Sequence, residues 1–354
     1  MNSKLYDKVY GCLCGGLIGD AMGAPVEGMH YEEIEEKHGW LDTFQGAGTD
    51  DSAIKQILCQ AIIENGGYIT ADEWAASFLK NKEKYYSLFY IPVQNMFHKL
   101  ESKLSLPVYA GMGNMHSSSS AMSISPMGII NACDPRQAAL ETYDVAGLIH
   151  AGDTTFCRDG ACCMAAAIAH ALSPTATLES VIDAAIGYLH PVSSREFLDS
   201  VEKTMEIARR TNDYKSFRAE FYERCLGDII SDSRETVPCV LALFYLSKAD
   251  AKTAITYAAN LGRDSDTIGT MIGALCGAFN GVFGLPNEWI KQLEEGYGKH
   301  QKVSREEYNI GEIEVANQRE LAHKLVDVVQ TRQNDKKHVL SLIEQLEENG
   351  KEWL

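Results

Sequence analysis

Glycine recurs at every fourth position from Gly269 to Gly281, within a stretch of apolar and small residues. Residues four apart lie on one face of an α-helix, so this spacing predicts a helix over 268–281 with a face of glycines. A helical glycine costs about 1 kcal/mol relative to alanine, and it is useful where a second backbone must come close. The helix therefore needs a closely packed partner, and the glycine-rich segment Gly11–Val26 is the candidate.

The same glycine spacing would favour helix pairing inside a bilayer, so Gly11–Val26 must be tested as a membrane or signal segment. Asp20 interrupts it, five glycines and Pro25 loosen it, and the residues before it lack the basic cluster of a signal peptide. Other stretches are too short to span a bilayer. The ten cysteines occur in close pairs or singly in apolar runs, as reduced thiols do. We expect a cytoplasmic protein with no membrane partner.

Helical periodicity dominates the 354 residues, and the strict alternation typical of strands is scarce. The segments with apolar residues at helical spacing are Ser52–Glu64, Asp159–Leu172, Leu178–Leu189, Phe197–Thr211, Pro238–Ser247, Ala251–Asn260 and Asp266–Phe283. Leu106–Pro126 and His150–Arg158 resist a helical interpretation. The more charged C-terminal stretch fits two amphipathic helices, Glu312–Val329 and Lys337–Leu354. We therefore predict an all-α fold.

Acidic residues outnumber basic ones. The chain has 49 Asp plus Glu and 32 Lys plus Arg, a formal net charge of -17. Such a balance opposes general affinity for phosphate backbones and for anionic membranes, so nucleic acid is excluded as an expected partner.

Two acidic clusters of the same design stand where a loop enters a predicted helix, and they are Thr49-Asp50-Asp51-Ser52 and Asp264-Ser265-Asp266-Thr267. Helix capping is the alternative for either cluster alone, because Asp, Ser and Thr are preferred caps. A cap uses one or two oxygens, whereas each cluster supplies two carboxylates and a hydroxyl. If the clusters meet, the repulsion of four carboxylates calls for cations, and oxygen ligands suit Mg²⁺, Mn²⁺ or Ca²⁺ rather than zinc.

A third element is the segment from Gly19 to Glu27, in which Asp20 and Glu27 are the only acids. Its glycines allow sharp turns and close backbone approach. Asp20 could equally cap a helix and Glu27 could be exposed at a helix end. We nevertheless include both as candidate site residues, Asp20 for substrate binding and Glu27 for catalysis.

The ordered set of motifs resembles the ADP-ribosylglycohydrolase family over roughly residues 8 to 290. The motifs that carry the resemblance are Gly-Asp-Ala-x-Gly-x-x-x-Glu (Gly19 to Glu27), Thr49-Asp50-Asp51-Ser52, Ser-Ala-Met-x-x-x-Pro (Ser120 to Pro126), Asn260 to Gly269, and the glycine-rich tail followed by Pro286 and Trp289. The set as a whole is far more specific than any one motif. The bacterial founder of the family removes ADP-ribose from dinitrogenase reductase.

The resemblance implies an orthogonal α-helical bundle with a dinuclear Mg²⁺ or Mn²⁺ centre at the bottom of a cleft. The implied metal ligands are Thr49, Asp50, Asp51, Asp264, Asp266 and Thr267. Glu27 would lie beside the metals and substrate, and Ser120, Ala121 and Met122 would contact the phosphates or the distal ribose.

Two positions depart from the family pattern. His150 stands where members carry a Thr-His pair, and Ile149 replaces the threonine. It is a candidate substrate contact, although a lone histidine is more often structural. Arg263 replaces a second glycine and could hold a phosphate or carboxylate of the substrate, or could pair with a structural acid. This departure makes small ribosides, including nucleosides, candidate substrates.

The expected activity is metal-dependent hydrolysis of a bond to C1 of a ribose, with Glu27, Asp50 or Asp266 as the general base. The substrate would be an ADP-ribosylated protein or a small riboside. A nucleosidase with the same site and a non-catalytic ADP-ribose-binding protein are the alternatives. Because distant clusters must share one site, we expect a single catalytic domain over 1–300, with C-terminal helices over 301–354 packed on it. The sequence gives no prediction of oligomeric state.

Overall fold

A computed structural model describes residues 3–305 and 308–350, and the predicted all-α class is confirmed. These residues form eighteen α-helices, joined by short 3-10 turns, and one hairpin of two strands. In chain order the helices are α1 Lys4–Gly23, α2 Tyr31–His38, α3 Asp50–Glu64, α4 Ala71–Lys80, α5 Lys82–Tyr85, α6 Ile91–Glu101, α7 Ser119–Met122, α8 Ser125–Ile130, α9 Pro135–Val145, α10 Thr155–Ala171, α11 Leu178–Ile186, α12 Arg195–Thr211, α13 Tyr214–Arg224, α14 Ser233–Leu246, α15 Ala251–Ala259, α16 Ser265–Asn280, α17 Asn287–Gly296 and α18 Gln318–Gly350.

Helices α1 and α16 form the centre of the fold and cross at backbone contact, as the glycine spacing predicted. A Cβ placed on Gly15 would lie within 2.1 Å of the carbonyl oxygen of Gly273, and Gly19 meets Gly269 in the same way. Glycines on one helix therefore face glycines on the other, in antiparallel order. This contact fixes the C-terminal end of α1 against the N-terminal end of α16, where Asp20, Asp264 and Asp266 lie.

Helix α1 is long and apolar enough to be compared with a membrane span. Lys4–Val26 has a mean hydropathy of 1.3 in its most apolar window, and 89% of that window is buried inside the fold. A helix buried to this extent is a core helix. Its glycines allow the close packing on α16 that buries it.

The main hydrophobic core of the described residues extends from Tyr6 in α1 to Val328 in α18. Two smaller clusters are separate from it, one around Ile34 and one around Ala166. The small-residue helix α10 packs between α9, α8 and α11, and its central residues, Gly160 to Ala169, are buried. All ten cysteines are free thiols. Helix α14 begins five residues before its predicted start because Asp232 caps it and Pro238 is accommodated inside the helix. The division of the chain at residue 300 stays a prediction.

The predicted C-terminal stretches are helical over most of their length, but they form one helix and not two, and the start of the first was wrong. Strands β1 (His300–Arg305) and β2 (Tyr308–Glu314) form an antiparallel hairpin where the first of these helices was expected to begin. Ile313 in β2 and Val315 directly after it are buried and alternate with polar residues. This alternation is typical of a strand but extends over too few residues to be recognised in the sequence. The second predicted helix is part of one continuous α18, because no glycine or proline between Val329 and Lys337 ends it. Leu354 lies outside the described residues.

Candidate metal centre and active site

The acidic clusters meet in one pocket with a volume of about 210 Å³. Five of its lining residues carry carboxylates, and they are Glu27, Asp50, Asp51, Asp264 and Asp266. The other lining residues are Tyr90, Ser118, Ser119, Met122, Ile230, Ser231 and Thr267. The N-terminal ends of α3 and α16 therefore point their first turns at the same space, more than two hundred residues apart in the chain. The dipoles of both helices favour negative charge at these ends.

On the α3 side, capping and the carboxylate site use different residues. The Thr49 hydroxyl accepts a hydrogen bond from the Asp51 backbone N–H at 3.3 Å and so caps the helix. Asp50 accepts from the Tyr90 N–H at 3.3 Å. Asp20, fully buried in α1, accepts from the backbone N–H of Thr49 at 3.0 Å and from that of Ser52 at 3.1 Å. Asp20 thus holds the loop that presents Asp50 and Asp51, and it does not itself line the pocket.

On the α16 side, Asp264 is the N-cap residue, but its side chain makes no capping hydrogen bond. Its Oδ2 lies 3.0 Å from the Ser118 hydroxyl instead. Carboxylate oxygens of Asp264, Asp266 and Glu27 all lie within 4.8 Å of one another. Three carboxylates at this separation could hold one metal ion. Glu27 is half-buried and the two aspartates are buried.

The electrostatics of the pocket favour a cation. Burial is the largest cause that raises the pKa of Asp51 and of Asp264 well above the usual range, and repulsion from Asp266 is the next. The same two causes raise the pKa of Asp20 to about 6. The Oδ2 atom of Asp51 is buried without a hydrogen-bond partner in the protein. A buried acceptor of this kind, among oxygen donors only, fits a hard divalent cation.

The segment 117–122, which contains the predicted substrate contacts Ser120, Ala121 and Met122, has a side that lines the pocket and a side that faces away from it. Met122 lines the pocket, whereas Ala121 and Ser120 are buried behind it. Ser120 Oγ lies 2.9 Å from His150 Nδ1, and Ser117 Oγ lies 3.1 Å from His150 Nε2. His150 is fully buried, and burial lowers its pKa to about 3. The structure therefore places this neutral histidine behind the loop, where it holds two serines in position.

Arg263 lies next to the metal cluster in sequence but points away from the pocket. Its guanidinium donates to both carboxylate oxygens of Glu235, from Nε at 2.8 Å and from Nη2 at 2.7 Å. Nη2 also donates to the Gly227 carbonyl at 2.8 Å. Of the two alternatives for Arg263, this contact supports pairing with a structural acid over substrate binding. Its backbone has φ 59°, a left-handed conformation that explains why glycine suits this position.

Several pocket residues carried no clear sequence signal. Tyr90, Ile230 and Ser231 line the pocket from loops that showed neither a motif nor a charge cluster. Ser118 lies in a run of four serines, Ser117 to Ser120, which gave no reason to single it out, although its hydroxyl donates to Asp264. Of the predicted metal ligands, Thr267 lines the pocket and Thr49 lies in an adjoining pocket that shares Glu27.

The sequence matches known proteins over most of its length. A family model described as ADP-ribosylglycohydrolase matches residues 1–335. The chain is 26% identical to the ADP-ribosyl-[dinitrogen reductase] glycohydrolase of Rhodospirillum rubrum, over 86% of this chain and 94% of that protein. It is 24% identical to the mouse ADP-ribosylhydrolase ARH3, over 82% of this chain and 89% of that protein. An uncharacterized Escherichia coli protein, YegU, is 27% identical over 78% of this chain and 88% of its own.

A solved structure gives the same result for the fold. The chain of an ADP-ribosylglycohydrolase-related protein complex superposes with a TM-score of 0.64, covering 93% of this chain and 99% of that one. The two sequences are 17% identical, so this likeness concerns the fold.

Proposed function

The chain belongs to the ADP-ribosylglycohydrolase family and is a hydrolase of ADP-ribose linkages, and on this premise we propose that it cleaves the bond between C1 of a ribose and an N- or O-linked group at the acidic pocket. The observation that carries this proposal is the convergence of five carboxylates from three distant segments in one pocket. The substrate would be an ADP-ribosylated protein side chain or a small ADP-riboside. We further propose a cytoplasmic location, as the sequence led us to expect.

We propose that the pocket holds two divalent cations, Mg²⁺ or Mn²⁺. Asp50 and Asp51 would supply ligands from α3, and Asp264, Asp266 and Thr267 would supply them from α16. Support comes from the oxygen-only donor set and from the buried Asp51 oxygen that has no protein partner. When bound, such cations neutralise the carboxylates, attract the vicinal ribose hydroxyls and lower the pKa of a bound water.

The size of the pocket favours one sugar as its occupant. Sites that enclose a drug-sized ligand have volumes of about 300–1,000 Å³, and this pocket measures about 210 Å³. A ribose would enter with its hydroxyls towards the aspartates, while the remainder of the ligand would lie outside, past Tyr90 and Ile230. Met122, which lines the pocket, would contribute an apolar contact to the sugar.

The reaction adds the oxygen of one water molecule to C1 and breaks the C1–N or C1–O bond, and one proton passes from the water to the leaving atom. The transition state carries positive charge on the sugar ring, which the surrounding carboxylates stabilise. Glu27 is our first candidate for the base that accepts the proton of the water. It is the one half-buried member of the five carboxylates, so it can exchange protons with solvent. Asp50 and Asp266 remain the other candidates.

The proposal is tested with the full chain and a panel of substrates, namely ADP-ribosyl-arginine, ADP-ribosyl-serine in a peptide, and free nucleosides. Products are separated by chromatography with Mg²⁺, with Mn²⁺ and with EDTA. We expect release of ADP-ribose with metal and none with EDTA. Release of base from nucleosides alone would replace the proposal with the nucleosidase alternative, and ADP-ribose binding without turnover of any substrate would leave a binding protein.

Matched variants locate the reaction. Asp51→Asn and Asp266→Asn remove charge from the pocket and should each lower kcat/KM by about 100-fold or more. Asp159→Asn is the control, because Asp159 is also a buried carboxyl of raised pKa, about 6, but lies in α10 outside the pocket lining. Near-normal turnover in both pocket variants, with the folded state verified by circular dichroism, would refute the assignment of the site.

A further inference from the structure

The last part of α18 extends away from the body of the protein. The first half of the helix is anchored in the core by Ala322, Leu325 and the buried Arg332. From residue 333 to residue 348 every side chain is exposed except the partly exposed Ser341. Asp335 accepts a hydrogen bond from Tyr68 at 3.0 Å and Lys336 donates to Asp134 at 2.7 Å, so the projecting part begins after Lys336. At 1.5 Å per residue, the segment from residue 337 to residue 348 projects about 17 Å.

An apolar stripe runs along the projecting segment. It consists of Val339, Leu340, Leu342, Ile343 and Leu346, whose exposed fractions lie between 46% and 72%. Val339, Leu342, Ile343 and Leu346 follow the spacing i, i+3, i+4, i+7 and lie on one helical face, with Leu340 at its edge. An apolar face on an otherwise charged helix is typical of an association surface. The match to the family model ends at residue 335, so the common fold of the family does not account for this stripe.

The charges around the stripe divide between its two ends. Basic groups, Lys336, Lys337 and His338, precede it, whereas acidic groups, Glu344, Glu347 and Glu348, lie at its other end. When two copies of this segment pack antiparallel, the basic end of each meets the acidic end of the other. A parallel arrangement would place like charges together. The segment is therefore complementary to itself in one orientation only.

We propose that α18 is a dimerisation helix, and that the occupant of the stripe is the stripe of a second copy of this chain, packed antiparallel around a two-fold axis. An axis between Leu342 and Ile343 places Val339 beside Leu346 of the second copy, and Leu342 beside Ile343 of the second copy. Such an interface is isologous and closes at two subunits. The proposal does not depend on the proposed function.

One ion pair would fix the register of the helices. Lys336 and Glu347 are about three turns apart and so lie on the same side of the helix. In the antiparallel pair each Lys336 approaches Glu347 of the other copy, on both sides of the axis. Lys336 already donates to Asp134 at 2.7 Å, and an ammonium group has further donors available. A membrane surface is a poor alternative occupant, because the stripe ends in glutamates and the chain has a net charge of -17.

The first experiment is sedimentation velocity of the full chain over two decades of concentration. We expect a dimer for the wild type, and we expect Leu342→Glu to raise the dissociation constant by about tenfold or more without loss of hydrolase activity. Leu104→Glu is the control, because Leu104 is also an exposed leucine, with 79% of its surface accessible, but lies outside α18. This variant should remain dimeric. A wild type that is monomeric at every concentration, or a Leu342→Glu variant that dimerises like the wild type, would overturn the proposal.

Charge exchange tests the orientation. Lys336→Glu and Glu347→Lys should each weaken self-association, because each places like charges opposite one another across the axis. An equimolar mixture of these two variants should form a heterodimer, because every opposed pair then has opposite signs, and the double variant should regain the homodimer. If the mixture stays as weakly associated as its components, the antiparallel arrangement is wrong.

Discussion

Because the backbones of α1 and α16 are in contact, we expect Gly273→Ala to lower the free energy of unfolding. A Cβ at this position would lie 2.0 Å from the carbonyl oxygen of Gly15, whereas a carbon and a carbonyl oxygen approach no closer than about 3.3 Å even in favourable contacts. The obstructing atoms belong to the backbone, so no rotamer change relieves the clash, and the helices must separate by about 1 Å.

The expected size of the effect comes from two opposing contributions. Overpacking of a core costs about 1–3 kcal/mol, and a clash with backbone belongs at the upper end. Alanine regains about 1 kcal/mol of helix propensity over glycine. We therefore expect Gly273→Ala to lower the free energy of unfolding by about 2 kcal/mol. For a chain of this length that corresponds to a fall in Tm of about 3 °C.

Differential scanning calorimetry measures this change against a matched glycine. Gly296 ends α17, and the nearest atom to a Cβ placed there is 3.8 Å away. Gly296→Ala should therefore leave Tm unchanged or raise it. Equal or higher stability of Gly273→Ala, or an equal loss in Gly296→Ala, would refute the reasoning that backbone contact requires these glycines. We also expect Gly273→Ala to weaken Mn²⁺ binding, since α1 and α16 position both sides of the pocket.

Three further predictions concern charge and protonation. Asp20 has a pKa of about 6 in the folded state, whereas its ordinary value is 3.8. Because folding raises this pKa, the free energy of unfolding decreases as the pH rises from about 4 to about 6. Metal-free protein should thus have a lower Tm at pH 7 than at pH 5, and Mn²⁺ should reduce the difference, whereas a higher metal-free Tm at pH 7 would contradict this. The His150 ring should show no NMR titration between pH 5 and pH 8, since its pKa of about 3 keeps it neutral; a midpoint near 6.5 would show that it is solvated. Arg263→Ala should lower the free energy of unfolding by about 3 kcal/mol, because it leaves the buried carboxylate of Glu235 without its arginine partner. KM should be nearly unchanged. A tenfold higher KM at normal stability would instead show that Arg263 contacts the substrate.

The parts of the fold that could be predicted are those with a strong local signal. The glycine repeat of α16 identified both a central helix and its partner, because backbone contact leaves few residue types to choose from. The two Asp-rich clusters could be paired in advance, since helix caps use fewer oxygens than these clusters supply. In the structure Thr49 provides the cap, and Asp50 and Asp51 line the pocket.

The parts that could not be predicted depend on tertiary contacts. Tyr90 and Ile230 enter the pocket from loops whose path is set by distant helices, and neither has a local pattern. In the hairpin of β1 and β2, buried and polar residues alternate over only a few positions. Its charged residues are equally typical of the exposed face of an amphipathic helix. His150 and Arg263 were visible as chemically active residues, but the direction in which each side chain points depends on Ser117, Ser120 and Glu235, far away in sequence.

The acidic pocket is proposed to bind two divalent cations and a ribose. Crystals soaked with Mn²⁺ and ADP-ribose test this proposal most directly, because anomalous scattering locates manganese without assumptions about the ligands. We expect two anomalous peaks between the N-terminal ends of α3 and α16, contacted by Asp51 and Asp266, with the ribose hydroxyls directed at them. ADP-ribose bound elsewhere, or a pocket without manganese under conditions that support hydrolysis, would contradict the proposed site.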